Sequence, residues 1–302
     1  MKKRALMVGV GELLWDLLPS GKVLGGAPSN FAYMCRVLGN EGIVASRVGD
    51  DVLGREAHDA LLVHGLDASH IQLDAEHKTG TAKVAIDSHG QPRFTIADSV
   101  AWDYLQWTPE WKKISRMTDV VCFGTLAQRS KTAAQTIMQF LQQIPEDALR
   151  ICDVNLRSPF YNLEALDRSL RCAQIAKLNE QELHKVAAMF QLKGSGEESL
   201  ARSLLIGFEL QLVCITRGAR GSLLVSKTKS VKHDGIKVKV ADAIGAGDAF
   251  TACVAHSYIR GRSLDEISEM ANRFASWVAT QSGATPVVSE DNLHDIFGCD
   301  HY

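Results

Sequence analysis

The sequence predicts an α/β protein in which a mostly parallel β-sheet is sandwiched by helices and a small second β-sheet lies beside it. Short apolar runs alternate with longer segments of helical periodicity, an arrangement typical of parallel sheets covered on both faces. Residues 79–98 break this alternation with two β-like runs that have no helix between them. The chain has 302 residues, 46% of them hydrophobic and 23% charged, which suits one large domain spanning residues 1–302.

The strands of the large sheet are predicted from short apolar runs, and the helices from the patterned segments between them. The predicted strands are residues 6–9, 43–48, 120–123, 150–154, 175–178, 212–216 and 223–225, and the clearest predicted helices are 54–64, 132–142 and 163–172. Carboxyl ends of parallel strands meet at one edge of a sheet, where ligands collect. We therefore expect convergence of the strand ends that carry Asp16, Thr125, Asn155, Asn179 and Gly218.

The small sheet is predicted from a stretch over residues 79–104. Within this stretch, residues 79–87 and 91–98 flank Ser88-His89-Gly90, a turn signal typical of a β-hairpin. These strands therefore pair in antiparallel fashion rather than through a crossover helix.

The most informative segment is Asp242-Ala243-Ile244-Gly245-Ala246-Gly247-Asp248-Ala249-Phe250. Residues 236–240 before it alternate like a strand, and residues 250–258 after it form an apolar run that predicts a buried helix. Glycines in such a turn adopt backbone angles closed to other residues, and their N–H groups with the helix dipole bind anions. Asp248 lies at the edge of this anion site, and its ordinary pKa of about 3.9 would keep it ionised. The alternative is a plain turn with Asp248 as a helix N-cap.

A second segment, Gly25-Gly26-Ala27-Pro28-Ser29-Asn30, precedes a predicted helix over residues 31–39. The two glycines allow the backbone to approach a ligand closely, and the Asn30 amide offers a donor and an acceptor for a sugar hydroxyl. The alternative is an ordinary capped helix after a loop.

Together the two segments resemble the signatures of the PfkB/ribokinase family of carbohydrate kinases, with the fructokinase subgroup most similar. Further segments agree in the same order: Gly11-Glu12-Leu13-Leu14-Trp15-Asp16, Val48-Gly49-Asp50-Asp51-Val52-Leu53-Gly54, Asp153-Val154-Asn155-Leu156-Arg157, Asn179-Glu180-Gln181-Glu182 and Thr216-Arg217-Gly218-Ala219-Arg220-Gly221. The resemblance covers essentially the whole chain. It implies a ribokinase-like fold whose small sheet, formed by strands at about residues 12–25 and 79–104, is a lid over the sugar.

The resemblance also implies a role for each candidate site residue. Asp248 would be the general base, and the N–H groups of Gly245, Ala246 and Gly247 would stabilise the transferring γ-phosphoryl group of ATP. The sugar would contact Asp16, Gly25, Gly26, Asn30 and Arg157, and ATP would contact Asn179, Thr216, Gly218, Gly221 and Asn272.

Two cations follow from the same resemblance. Glu182 would organise Mg²⁺ through water, and Asp242 with the loop at Gly283-Ala284 would help to hold K⁺. The chain departs from the ribokinase pattern at Ala243-Ile244, where two threonines are common, and at Val287, where a serine is frequent. These departures weaken the case for potassium, although backbone carbonyls can still supply ligands.

The predicted activity is ATP-dependent phosphorylation of a sugar hydroxyl, with fructose as the first substrate choice. We expect Arg157 to neutralise phosphate, so no cation is left to pair with a sugar carboxylate. This disfavours a 2-keto-3-deoxygluconate kinase. A ribose or nucleoside kinase is a third choice. A catalytically silent sugar- or nucleotide-binding protein is the alternative of a different class, but binding alone needs no base at Asp248.

Bulk properties exclude several other classes. The net charge of −2 with no long basic run argues against nucleic acid as a partner, and no apolar stretch is as long as a membrane span. No Gly-x-x-x-x-Gly-Lys-Ser/Thr loop or complete dinucleotide fingerprint is present. The seven cysteines show no Cys-x-x-Cys spacing, so we expect buried free thiols in a reducing, cytoplasmic compartment. The expected partners are a sugar, ATP and a second copy of the chain that pairs through the lid.

Overall fold

The computed structural model describes residues 4–18, 21–86 and 92–298 as a nine-stranded sheet, its covering helices and a separate four-stranded sheet. The strands are β1 (Leu6–Val10), β2 (Leu14–Leu18), β3 (Gly21–Gly25), β4 (Glu41–Gly49), β5 (Ile71–Asp74), β6 (Gly80–Ile86), β7 (Pro92–Ile96), β8 (Val120–Gly124), β9 (Leu149–Asp153), β10 (Ile175–Asn179), β11 (Leu212–Thr216), β12 (Ser222–Ser226) and β13 (Ser230–His233). The α-helices are α1 (Ala27–Val37), α2 (Val52–Val63), α3 (Pro109–Ser115), α4 (Lys131–Gln143), α5 (Leu163–Cys172), α6 (Glu180–Met189), α7 (Glu197–Gly207), α8 (Ala246–Tyr258), α9 (Leu264–Ala279) and α10 (Glu290–Phe297).

The large sheet has the strand order β13-β12-β11-β10-β9-β8-β1-β4-β5. Neighbouring strands from β11 to β5 are parallel, whereas β12 and β13 are antiparallel additions at one edge. The predicted mostly parallel α/β fold is therefore confirmed. Its consequence for function is that β1, β8, β9, β10 and β11 all end at the same edge of the sheet.

Alternating side chains divide the large sheet between two apolar layers. In β1, for example, Met7 packs in the layer that contains Phe250 of α8 and Phe274 of α9, whereas Val8 packs in the layer that contains Phe140 of α4. Helices α1, α2, α8, α9 and α10 contribute to the first layer, and α3 to α7 contribute to the second. Burial on both faces explains why these strands read as continuous apolar runs in the sequence.

The small sheet has the order β3-β2-β6-β7 and confirms the second sheet predicted from the sequence. Strands β6 and β7 pair antiparallel as predicted, and their predicted turn at Ser88-His89-Gly90 lies outside the described residues. Asp16 of β2 pairs with Ala82 of β6, which pairs in turn with Ile96 of β7. Cross-strand partners share a face of a sheet, so these three side chains point the same way.

The carboxylate of Asp51 connects the small sheet to the large one. It caps α2 by accepting a hydrogen bond from the Gly54 N–H at 2.8 Å. It also accepts from the Thr79 hydroxyl at 2.7 Å and the Thr79 N–H at 2.9 Å. Since Thr79 directly precedes β6, this one side chain fixes where the small sheet leaves the large one.

One predicted strand is wrong. Residues 236–240 have no strand assignment and are largely exposed, with Val240 at 56%. Gly235 adopts a φ of +86° just after β13, and this turn takes the chain away from the sheet edge. The alternating pattern therefore belongs to an exposed segment that leads into α8, and the turn at Gly245 follows irregular backbone rather than a strand.

The cysteines and the membrane prediction can be compared over the described residues. Six free cysteines are found there, five of them buried, as the sequence predicts. The seventh, Cys299, lies outside the described residues. Over the same part of the chain, none of the helices combines the length and the apolar character that crossing a bilayer requires.

Candidate active site

A cavity of about 450 Å³ lies where the carboxyl edge of the large sheet faces the small sheet. Its lining includes Glu12, Leu14, Asp16, Gly26, Ala27, Asn30, Ala82, Ile96, Leu126, Asn155, Arg157, Lys177, Asn179, Thr216, Ala243, Ile244, Gly245, Gly247 and Asp248. Most of the residues predicted for the sugar and for phosphoryl transfer therefore come together here. A larger groove of about 1080 Å³ beside α4 and α5 is lined by none of the predicted site residues.

Asp248 lies in the first turn of α8, where the helix dipole and free N–H groups favour anions. The helix begins at Ala246, after Gly245 with a φ of +79°. A Cβ atom at Gly245 would overlap the Ala284 carbonyl oxygen, so both the turn and the close packing require glycine. The predicted backbone angle that is closed to other residues is confirmed at Gly245.

The Asp248 carboxylate is held by Asn30, which lies 218 positions away in the sequence. The Asn30 Nδ2 donates to Asp248 Oδ2 at 2.7 Å. Burial and, next, the nearby Asp153 carboxylate raise the pKa of Asp248 to about 6, against the lowering effects of Lys177, Asn30 and Arg157. This pKa is higher than the ordinary value and closer to that of an effective base at neutral pH, and it still leaves the carboxyl group mostly ionised there.

Gly247 does not have the unusual backbone angle expected from the sequence, because its φ is not in the left-handed region. Its glycine identity matters for space instead. A Cβ atom there would lie 3.0 Å from the Lys177 ammonium nitrogen. The positive charge of Lys177 is therefore placed directly against the glycine turn at the start of α8.

Lys177 is a site residue that sequence reasoning missed. Its Nζ donates to both carboxylate oxygens of Asp153, at 3.1 and 3.0 Å. Burial lowers the pKa of Lys177, but the carboxylates of Asp153, Glu182 and Asp248 outweigh burial and raise it. The signal in the sequence was a lysine between the apolar residues Ala176 and Leu178 of strand β10.

Asn179 and Glu182 form a reciprocal cap at the start of α6. The Asn179 side chain accepts from the Glu182 N–H at 2.9 Å, and Glu182 Oε2 accepts from the Asn179 N–H at 2.9 Å. Glu182 Oε1 accepts from the Leu156 N–H at 2.8 Å. Both carboxylate oxygens are therefore engaged by backbone, which suits an indirect role near a metal better than direct ligation.

Asp16 reaches the cavity from the small sheet, beside the pair Gly25-Gly26. A Cβ atom at Gly25 would overlap Asp16 Oδ2, and a Cβ atom at Gly26, with a φ of +111°, would overlap the Glu12 carbonyl oxygen. Burial raises the pKa of Asp16 to about 6, and Arg157 opposes this rise. The glycine pair is therefore explained by packing against residues of the site.

Arg157 faces the carboxyl groups near the small sheet. Its charge lowers the pKa values of Glu12, Asp16 and Asp248. The expectation that Arg157 neutralises phosphate stays a prediction, and the positive charge found directly beside the glycine turn is that of Lys177. Asn155, two residues before Arg157, lines the same cavity with a φ of +37°, a strained conformation that is common at functional sites.

Two buried oxygen atoms that belong to cavity-lining residues have no hydrogen-bond partner within the described structure: Asn30 Oδ1 and Glu12 Oε2. Asn30 is 4% exposed and Glu12 is 3% exposed. An unpaired buried acceptor costs about 1–3 kcal/mol, so such groups in a cavity point to a ligand. We define the small-sheet side of the cavity as Glu12, Asp16, Asn30 and Arg157. The α8 side comprises the lining residues Lys177, Asn179 and Gly247 together with Asp153 and Glu182, which do not line the cavity but bond to Lys177 and Asn179.

The residues predicted for the nucleotide are less closely grouped. Thr216 lines the cavity, and Gly218 and Gly221 lie in the turn from β11 to β12 with φ values of +56° and +78°. Asn272 is buried and donates through Nδ2 to the Ser222 hydroxyl and the Ser268 carbonyl, each at 2.7 Å. It therefore connects α9 to β12, and its contact with a nucleotide stays a prediction.

Asp242 connects the loop before α8 to the loop that contains Gly283 through hydrogen bonds. Its Oδ1 accepts from the Ile244 N–H at 3.0 Å, and its Oδ2 accepts from the Gly283 N–H at 3.3 Å. The structure thus brings together the two segments predicted to hold a monovalent cation. Over the described residues, no group of three or more His, Cys, Asp or Glu side chains is arranged to hold a metal ion by itself.

Comparison with known proteins gives the class of this site. The family model described as pfkB family carbohydrate kinase matches residues 20–291, so the chain belongs to that family. The fructokinase of Escherichia coli is 28% identical over 294 residues, which cover 91% of this chain and 93% of that protein. The fructokinase of Salmonella typhimurium is 30% identical over 256 residues, which cover 80% of this chain and 81% of that protein.

Solved structures agree with the fold. An uncharacterised sugar kinase from Pyrococcus horikoshii superposes with a TM-score of 0.83 at 25% identity, over 96% of this chain and 97% of that chain. Its complex with ATP superposes with a TM-score of 0.78 at 26% identity, with the same coverage. This chain is therefore a carbohydrate kinase with the α/β fold that the sequence predicts.

Proposed function

We propose that this carbohydrate kinase is a fructokinase that transfers the γ-phosphoryl group of ATP to a hydroxyl group of fructose. The observation that carries the proposal is the pair Asn30–Asp248. One end of the Asn30 amide donates to the candidate base at 2.7 Å, and its other end is a buried acceptor without a partner. A sugar hydroxyl bound to Asn30 Oδ1 would place a hydroxyl group next to the Asp248 carboxylate.

The chemical step follows from this placement. The attacking hydroxyl gives its proton to Asp248 as its oxygen forms a bond to the γ-phosphorus, and the bond from that phosphorus to the ADP oxygen breaks. The Asn30 donor keeps the carboxylate oriented and favours its charged form before the proton arrives. A positioned base of this kind contributes roughly 10²–10⁴-fold to the rate.

The α8 side suits the negative charge of the transferring group. The first N–H groups of α8, next to Gly245 and Gly247, supply donors without a helical partner. Lys177 adds a fixed positive charge at the same turn. Preorganised donors and charges of this kind favour the transition state, in which charge spreads over the phosphoryl oxygens.

Mg²⁺ fits this side through water rather than through a protein cage. When bound with the nucleotide, it would neutralise charge on the phosphate oxygens. Glu182 and Asn179 would orient its water ligands, because both Glu182 oxygens already accept from backbone N–H groups. K⁺ would lie at the loops joined by Asp242 and Gly283, with backbone carbonyls as its main ligands.

The choice of fructose rests on the small-sheet side and on the fructokinase relatives. The guanidinium of Arg157 lowers the pKa values of three carboxyl groups, Glu12, Asp16 and Asp248. A sugar acid would add a further carboxylate that competes for this guanidinium, whereas a neutral sugar offers hydroxyl donors to the carboxyl groups. The fructokinases of Escherichia coli and Salmonella typhimurium match most of this chain, which supports the same choice.

A second candidate is a 2-keto-3-deoxygluconate kinase, favoured by one observation. Since Lys177 rather than Arg157 lies beside the glycine turn, the guanidinium is on the side where a sugar carboxylate would bind. A ribose or nucleoside kinase is a third candidate that no contact in the described structure favours. Pairing of two copies through the small sheet and a cytoplasmic location stay predictions from the sequence.

The test is an ADP-release assay with fructose, ribose, 2-keto-3-deoxygluconate, adenosine and fructose phosphates. We expect kcat/KM to be highest for fructose. A higher kcat/KM for 2-keto-3-deoxygluconate would overturn the fructose assignment in favour of the second candidate. Binding of a sugar without ADP release from any of these compounds would favour the catalytically silent alternative.

A further inference from the structure

Among the residues that line the cavity, Glu12 is the buried carboxyl group to which the sequence motifs assign no role. It lies in the segment between β1 and β2, is 3% exposed and lines the cavity. Its Oε2 atom is shielded from solvent and has no hydrogen-bond partner within the described structure. It is therefore an acceptor that the protein itself leaves open.

The surroundings of Glu12 show which groups act on it. Burial raises its pKa to about 7, and the Asp248 carboxylate contributes in the same direction. The backbone N–H groups of Glu12 and Ala27 and the charge of Arg157 lower it. The carboxyl group thus lies between the candidate base, the guanidinium and the start of α1, which carries Asn30.

A purely structural role does not account for the open oxygen. The equally buried Asp74 shows what a structural carboxylate looks like here, because it accepts from the Glu76 N–H at 2.9 Å and the His77 N–H at 3.0 Å and pairs with Arg47. The N–H groups of Glu12 and Ala27 act on the Glu12 carboxyl group, but its Oε2 atom has no hydrogen-bond partner within the described structure. The folded protein therefore bears the cost of a desolvated acceptor at this one oxygen. A ligand hydroxyl in the cavity would remove that cost.

We propose that Glu12 is a substrate-binding residue whose Oε2 accepts a hydrogen bond from a sugar hydroxyl other than the one that Asp248 deprotonates. This inference rests on the proposed sugar kinase activity and adds a third sugar contact to Asp16 and Asn30. A sugar that lacks this hydroxyl would leave the Glu12 acceptor unpaired in the complex and would bind more weakly.

The experiment compares wild type with Glu12→Met, which keeps an unbranched side chain of similar length but removes the acceptor. KM values are measured for fructose, ribose and 2-keto-3-deoxygluconate and for ATP, and thermal unfolding is followed on the same preparations. We expect the KM of the sugar that is turned over to rise at least about tenfold, the ATP KM to change less than about twofold, and Tm to increase. Asp74→Leu is the matched control, with a lower Tm and an unchanged sugar KM.

A second measurement identifies the hydroxyl. With fructose as the acceptor, each monodeoxy analogue is compared in both proteins. One analogue should lose about tenfold or more in kcat/KM with wild type and much less with Glu12→Met, because the bond is already missing in the variant. A structural role would give no such coupling to a single hydroxyl.

Three results separate the inference from the proposed function. An unchanged sugar KM in folded Glu12→Met overturns the inference and leaves the proposed function intact. A fall in Tm with equal losses for sugar and ATP also overturns it, because that pattern is structural. If wild type phosphorylates none of the three sugars, the proposed function fails and this inference fails with it.

Discussion

The two sides of the cavity differ in how completely the protein satisfies its own polar groups. On the α8 side, Lys177 pairs with both oxygens of Asp153, and Glu182 accepts from two backbone N–H groups. On the small-sheet side, Asn30 Oδ1 and Glu12 Oε2 have no partner within the described structure. The difference indicates that the α8 side is preorganised before substrate binds, whereas the hydrogen bonds of the small-sheet side are completed only by the substrate.

This difference matches what phosphoryl transfer to a sugar requires. Charge that develops in the transition state is stabilised best by groups that do not have to move, as on the α8 side. Recognition of a neutral polyol needs acceptors and donors that stay unpaired until the sugar binds, as on the small-sheet side. A sugar that leaves one of these groups unpaired binds more weakly. Asp248 belongs to both, since Asp153 and Lys177 act on its pKa from one side and Asn30 and Arg157 from the other.

The largest effect should come from the residue that the two sides share. Asp248→Asn keeps the size of the side chain but removes the base, so kcat should fall by about 10²–10⁴-fold while sugar and ATP binding change little. Steady-state kinetics and calorimetric binding of both ligands provide the measurement. Asp74→Asn, an equally conservative change at a buried carboxylate outside the cavity, should leave kcat near wild type. Near-normal turnover in Asp248→Asn would remove this residue from the mechanism.

A slightly smaller effect is expected from the glycine turn of the α8 side. In Gly247→Val, the new Cβ would lie 3.0 Å from Lys177 Nζ, so it would displace the ammonium group and block the approach of phosphate to the backbone. Loss of one well-aimed donor costs about 10²–10³ in kcat in comparable sites. Gly207→Val in α7, where a Cβ meets nothing within 4 Å, is the matched control. Full activity of folded Gly247→Val would exclude close contact between this turn and the phosphoryl group.

Sequence reasoning predicted the parallel sheet, the small sheet and the main motif residues because those features depend on local patterns. The apolar strands and the glycine at position 245 are visible in the sequence, since each is required by its own backbone or burial. The exposed segment at residues 236–240 was predicted wrongly because alternation alone does not reveal whether a neighbouring strand is present.

The electrostatic arrangement of the site was less predictable. The Asn30–Asp248 hydrogen bond joins residues 218 positions apart, and the division of charge between Lys177 and Arg157 depends on which strand ends meet. A lysine in a buried strand and a glutamate between two apolar runs were the available signals. Their partners, and the absence of a partner for Glu12 Oε2 within the described residues, required the folded arrangement.

The charge of the α8 side can be tested through the pH dependence of the base. Wild-type kcat should fall as pH decreases through about 6, because Asp248 must be ionised to accept a proton. Lys177 lowers the pKa of Asp248, so Lys177→Met should move the acidic limb of the pH profile, the range in which kcat falls, to higher pH. It should also reduce kcat by about 10–100-fold through the lost charge.

Removing Lys177 alone leaves Asp153 buried without its cation, which can destabilise the fold by about 3–5 kcal/mol. The double variant Lys177→Met with Asp153→Asn removes both charges and should recover much of the stability without recovering kcat. Asp153 raises the pKa of Asp248 more strongly than Lys177 lowers it, so the loss of both charges should return the acidic limb to the wild-type pH or below it. An acidic limb that is the same in all three proteins would show that Lys177 and Asp153 do not act on the base.

The smallest effect is expected on the small-sheet side, where several groups share the sugar. Asp16→Ala removes one carboxylate from β2 but leaves Asn30, Arg157 and the whole α8 side in place. We expect the fructose KM to rise about tenfold, which is the value of one hydrogen bond to a charged group, while kcat and the ATP KM change less than about threefold. Asp50→Asn, at an exposed carboxylate outside the cavity lining, is the control and should alter neither KM. If Asp16→Ala weakened only the binding of ATP, the ligands assigned to the two sides of the cavity would have to be exchanged. The small sheet would then cover the nucleotide, and the α8 side would hold the sugar.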